Sequence, residues 1–206
     1  MQAGSTARLE RIRSMTDNYF FWQGLRLVPM GAALMVVAWR WSAWWPLTGP
    51  TSDVVTYAAL ALAVWGSVVV GRYYRRSFGD VRAMPGAHAR RNALKWLIVY
   101  PLLVASMVVD GLLKPPLFVT GPVWGAGTLA YWWSTGRGRP HYVVASGILG
   151  AFGLLPLFGV FAPGTAGLAP FFAVLGAIYM VGGVLDHLEL RRLLRPVVPG
   201  GDTSTV

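Results

Sequence analysis

Apolar residues along this chain gather into six long runs, at 27–45, 54–74, 94–113, 117–133, 142–162 and 165–185. Polar and charged residues are largely confined to the stretches between them. A helix rises about 1.5 Å per residue and must cross about 30 Å of hydrocarbon, so runs near twenty residues predict membrane-spanning helices. The pattern predicts an all-α integral membrane protein, a single bundle of six transmembrane helices at 24–190. A cytoplasmic or interfacial segment at 1–23 precedes it, and a cytoplasmic tail at 191–206 follows it. The turns "PLTGPTS", "KPP" and "APGTAG" are short and rich in the residues that stop helices.

Composition sharpens this picture. Only 13% of the 206 residues are charged and 55% are hydrophobic, against about 25% charged in a typical soluble domain. The six runs leave too little chain for a separate soluble domain. The net charge of +10 would suit a nucleic-acid partner if the positive residues shared one surface. Instead, all of the 18 basic residues except Arg40 and Lys114 fall on alternate connections and at the two ends. Positive segments stay in the cytoplasm. The dense stretch "YYRRSFGDVRAMPGAHARRNALK" therefore reads as a topology anchor. Both termini are expected inside a cell inner or plasma membrane, and no nucleic acid is expected. The scarcity of lysine and the abundance of glycine and alanine point to a bacterial source.

The segment "RLERIRSMTDNYFFWQGLR" mixes arginine with Leu9, Ile12 and four consecutive aromatics. It suits either an interfacial helix or a disordered tail running into an aromatic belt. Trp22, Tyr73, Tyr74, Trp96, Trp132, Trp133 and Tyr142 are expected in the inner belt, and Trp39, Trp41, Trp44 and Trp45 in the outer one.

Enzyme chemistry finds little support. There are no cysteines, which removes disulfides and thiolate sites. His88, His141 and His187 are scattered, and no metal-ligand, paired-carboxylate or nucleophile-elbow spacing occurs. The expectation is no catalytic residue, no metal and no cofactor beyond a bound lipid.

Charges inside a span are costly and usually functional. Four candidates stand out, namely Arg26, Arg40, Asp110 and Asp186. Asp110 lies near Lys114 and at the depth of Arg40, so an ion pair or a polar gate is expected there. Asp186 is expected to pair with Arg26 and close the first and last helices together. Pro101, Pro156 and Pro170 fall within spans, where each frees a carbonyl one turn earlier. Small-residue pairs, among them Gly121 with Gly125, Gly147 with Ala151 and Ala173 with Ala177, suit close helix packing within one subunit or between subunits. The remaining mid-span residues are mostly apolar or aromatic. An apolar ligand is expected in a cavity lined by Trp65, Pro101, Ser106, Trp124, Phe152 and Pro156.

Two patches carry a resemblance. One is "ASMVVD", residues 105–110; the other is "YWWSTGRGR", residues 131–139. The first is similar to the Ala-Ser stretch leading to an acidic residue at the end of span three in the Insig (insulin-induced gene) family and its bacterial homologues. The second resembles that family's tryptophan pair and basic loop after span four. The resemblance implies a non-enzymatic bundle whose cavity holds a sterol or another lipid such as diacylglycerol. It also implies regulation of a partner membrane protein, with Asp110 as a conformationally important residue. The expected function is that of a lipid-binding sensor, with membrane lipids, another membrane protein or a second copy as partners. A small transporter or channel, and an accessory subunit without ligand, are the competing expectations.

Overall fold

The computed structural model describes residues 23–42, 45–78, 87–134, 139–161 and 167–194. Within these residues the regular structure is all helical, with no strand. The helices are α1 (Leu27–Arg40), α2 (Gly49–Phe78), α3 (Ala87–Leu113), α4 (Thr120–Ser134), α5 (His141–Phe152) and α6 (Leu168–Leu194). A 3-10 turn at Gly24–Arg26 leads into α1, and another at Leu155–Phe158 follows α5. The main packing contacts run in a row, α2–α1–α6–α5–α4–α3. Among the described residues, the outermost members, α2 and α3, each expose a broad apolar face.

Each apolar run thus becomes one helix, but the lengths differ from expectation. Among the described residues, two helices are long and apolar enough to cross a membrane, over Gly49–Ser77 and Leu168–Arg192. Helices α1, α4 and α5 have only 14, 15 and 12 residues, a rise of roughly 18–22 Å. Local chemistry explains the early stops. Lys114 takes a left-handed backbone (φ 45°) at the end of α3, and two prolines follow. Gly153 and Leu154 end α5 as a turn, with Pro156 near the start of the succeeding 3-10 turn. Pro156 therefore follows a helix that has already ended and kinks none, contrary to expectation. Pro170 sits in the first turn of α6, where an N–H would have no helical partner. Pro101 does lie inside α3.

Glycine sets the closest contact. α1 and α6 run antiparallel, with Gly24 opposite Gly183 and Gly31 opposite Gly176. A Cβ on Gly31 would meet the Gly176 carbonyl at 2.6 Å, and one on Gly176 would meet the Gly31 carbonyl at 2.7 Å. The second tight seam joins α4 to α5. There Gly121 faces the Gly153 N–H at 2.6 Å and Gly125 faces the Ser146 carbonyl at 2.8 Å, measured from the Cβ each lacks. The Gly121/Gly125 pair is therefore used inside the chain. Gly147 and Ala151 point outward instead, and a Cβ on Gly147 would meet nothing within 4 Å.

The distribution of polarity is inverted. Asp110 and Asp186 are 0% exposed and Arg139 is 1% exposed, while Trp65 is 65% and Leu112 76% exposed. Water would favour the reverse. Four helix hydroxyls are satisfied by main-chain carbonyls. Ser67 donates to Arg26 (2.9 Å), Ser106 to Leu103 (2.7 Å), Thr128 to Trp124 (2.8 Å) and Ser146 to Gly125 (2.7 Å). The first and last of these tie one helix to another.

Several expectations fall outside the described residues. These are the 1–22 segment, the basic stretch at 79–86, the 135–138 part of the fourth connection and the tail from 195 onward.

Candidate functional site: a polar hub and an aromatic cluster

The bundle has two distinct ends. At one, charge is buried. Asp186, near the C-terminal end of α6, accepts three hydrogen bonds. They come from the Tyr142 hydroxyl at 2.7 Å, from His141 Nε2 at 3.1 Å and from Arg139 Nη1 at 3.4 Å. All three donors belong to the start of α5 and to Arg139, two residues before it, so one carboxylate clamps α5 onto α6. The Arg139 guanidinium lies 5.1 Å from the Tyr142 ring centroid and 5.6 Å from that of Tyr131, at the end of α4. Both distances suit cation–π attraction. Burial opposes the charge on Arg139, but the Coulombic pull of Tyr131, Asp186 and Tyr142 outweighs it and holds the pKa above the ordinary arginine value. The guanidinium is thus permanently charged.

The next residue extends the hub. His187 Nδ1 lies 2.9 Å from the hydroxyl of Tyr74, which is 0% exposed and belongs to α2. That hydroxyl accepts the Leu25 N–H at 3.3 Å. Residues from α2, α4, α5 and α6 and from the turn before α1 therefore meet at this end.

The structure corrects the sequence reading here. The described partners of Asp186 are Arg139, His141 and Tyr142. Arg26 instead bonds Gln23 Oε1 at 3.1 Å. Sequence distance explains the error, since a loop arginine such as Arg139 reads as solvated until the loop is folded back onto α6. Tyr74 and Tyr142 were expected at the lipid boundary and are buried members of the hub.

At the other end, Asp110 closes the α3–α4 connection. Its Oδ1 accepts the Val119 N–H at 2.7 Å and its Oδ2 the Thr120 N–H at 2.8 Å. These are orphan donors of the first turn of α4. Asp110 is thus a capping group from a neighbouring helix. Arg40 does not reach it, because Arg40 is paired with Asp53 of α2. Lys114 is exposed. Asp110→Ala is expected to cost about 1–2 kcal/mol, with Asp110→Asn losing less, as thermal unfolding in detergent would measure.

Behind Asp110 lies the aromatic core. Phe118, Phe152, Phe161 and Phe171 pack with ring centroids 5.3–6.0 Å apart. Trp124 meets Phe171 edge-on at 5.9 Å. Of the six expected lining residues, Trp124 and Phe152 are brought together here. Pro156 lies beyond Phe152, in the turn after α5. Ser106 is buried on α3, its hydroxyl engaged with its own helix. Trp65 and Pro101 are exposed on α2 and α3.

Among the described residues, no group of three or more histidine, aspartate or glutamate side chains gathers. Comparison with protein-family models, with curated proteins and with solved structures finds no match.

Proposed function

We propose that this chain is a non-enzymatic, multi-pass membrane protein of six spans that binds a lipid and acts as a sensor or regulator. The inverted polarity carries the reading. Apolar side chains such as Leu97, Leu102, Leu112, Trp65 and Val144 face outward, while the charges at both ends are buried and hydrogen-bonded. Lipid is the medium in which that arrangement is favourable. The short helices α1, α4 and α5 span with the help of their flanking turns and local bilayer thinning. The polar hub lies at the end that carries Arg72, Arg75, Arg76, Arg191 and Arg192, so it faces the cytoplasm under the positive-inside rule.

The engaged state of the buried acids favours a regulator over a transporter. An ion path needs carboxylates free to exchange partners across the bilayer, and both buried acids serve as fixed fasteners between helices. The likeness of residues 105–110 and 131–139 to Insig proteins favours the same reading, with diacylglycerol or a related neutral lipid as the ligand.

Two measurements test this. The chain has no cysteine, so single cysteines report orientation directly. Ser77→Cys is expected to react with a membrane-impermeant maleimide only after permeabilisation, and Thr48→Cys in intact cells. The reverse result overturns the orientation. Mass spectrometry of detergent-purified protein is expected to find a retained neutral lipid. Bulk phospholipid alone would overturn lipid binding.

A further inference from the structure

The aromatic core contains two polar atoms that have no partner. Thr120 is 0% exposed and its Oγ1 makes no hydrogen bond. The indole Nε1 of Trp124 is also buried and makes none. They stand at i and i+4, on successive turns of one face of α4. Threonine can bond back to a carbonyl three or four residues earlier in a helix. At the first residue of α4 no helical carbonyl lies there. An unpaired buried hydroxyl and an unpaired buried N–H, on successive turns of one helix face, are unfavourable unless an oxygen from elsewhere joins them.

The surroundings define that oxygen. Trp124 can only donate, so its partner must accept. Thr120 can donate or accept, so it tolerates a hydroxyl or a carbonyl. The nearest described charge is Asp110, already engaged by two main-chain N–H groups. A negative carboxylate there opposes a phosphate or fatty-acid anion. The rest of the wall is Phe171 and its neighbours, which suit an acyl chain.

We infer that Thr120 and Trp124 form a two-point anchor for an uncharged ester or hydroxyl oxygen of a neutral glycerolipid, at the Asp110 end of α4. This rests on the lipid-binding reading above and locates its polar contact. The aromatic cluster takes the adjoining hydrocarbon. Trp65 and Pro101, on outward faces, take no part.

The test uses full-length protein in phosphatidylcholine nanodiscs containing dioleoylglycerol. Bound dioleoylglycerol is measured by native mass spectrometry, and folding by the thermal midpoint. Trp124→Phe keeps a ring and removes the N–H. Thr120→Val keeps the shape and removes the hydroxyl. Each is expected to weaken retention roughly tenfold, the effect of one hydrogen bond, with the unliganded midpoint unchanged or raised. Retention equal to wild type in both variants overturns the anchor and leaves lipid binding standing. A raised midpoint with unchanged retention does the same, and assigns the two atoms to a buried water. No dioleoylglycerol on the wild type overturns both. If Trp124→Phe unfolds the protein, Thr120→Val alone decides.

Discussion

Asp186→Ala is expected to be the most damaging single substitution in the chain, lowering stability by about 3–5 kcal/mol. The reason lies in what remains rather than in what is removed. Arg139 is 1% exposed, and without the carboxylate its charge stays buried among tyrosine rings. Tyr142 and His141 lose their acceptor at the same time. Detergent unfolding followed by circular dichroism would measure the loss. Pairing the change with Arg139→Met is expected to restore a large part of it, because replacing both members of a buried pair by apolar groups is often neutral. A double variant as unstable as the single one would show that the charge pairing is not what the hub contributes.

The second large effect is expected at Gly31. A leucine there would drive its Cβ toward the Gly176 main chain, which lies 2.6 Å from the ideal position. The obstacle is backbone, so no side-chain rotation relieves it. Overpacking of this kind costs about 1–3 kcal/mol, and the wider separation it forces would also weaken the Gly24–Gly183 contact. Gly147→Leu is the control, since a Cβ there meets nothing within 4 Å. A large fall in midpoint for Gly31→Leu with little change for Gly147→Leu is the expected pattern. Equal effects would mean that the seam between α1 and α6 is looser than its geometry requires.

The number and order of the helices could be read from the chain because the apolar runs are long and the interruptions are proline, glycine and arginine. Their lengths could not. A hydropathy run continues through Trp41 and Trp45 and through Phe158 and Phe161, which are apolar but not helical. Local turns at Trp41–Ser42 and Gly153–Leu154 set those endings, and the runs do not encode them. The importance of Asp110 and Asp186 was legible, since an acid inside an apolar run demands a partner. The partners themselves were not. Those of Asp110 are main-chain N–H groups, invisible in sequence. Those of Asp186 lie more than forty residues away, at the start of α5 and shortly before it. The glycine seam did leave a signal. Gly24 with Gly31, and Gly176 with Gly183, are each spaced by seven residues, about two helical turns. The four-residue spacing of the usual small-residue motif hides it.

That seven-residue spacing has a mechanical consequence. Two mesh points about 10 Å apart along the axis act as teeth on facing racks. A slip of one helical turn brings Val28 or Met180 into a gap that admits only hydrogen, so neither rod can creep along the other without first backing away. The pair forms the stator of the assembly, and any sliding between helices has to fall to the members at the rim.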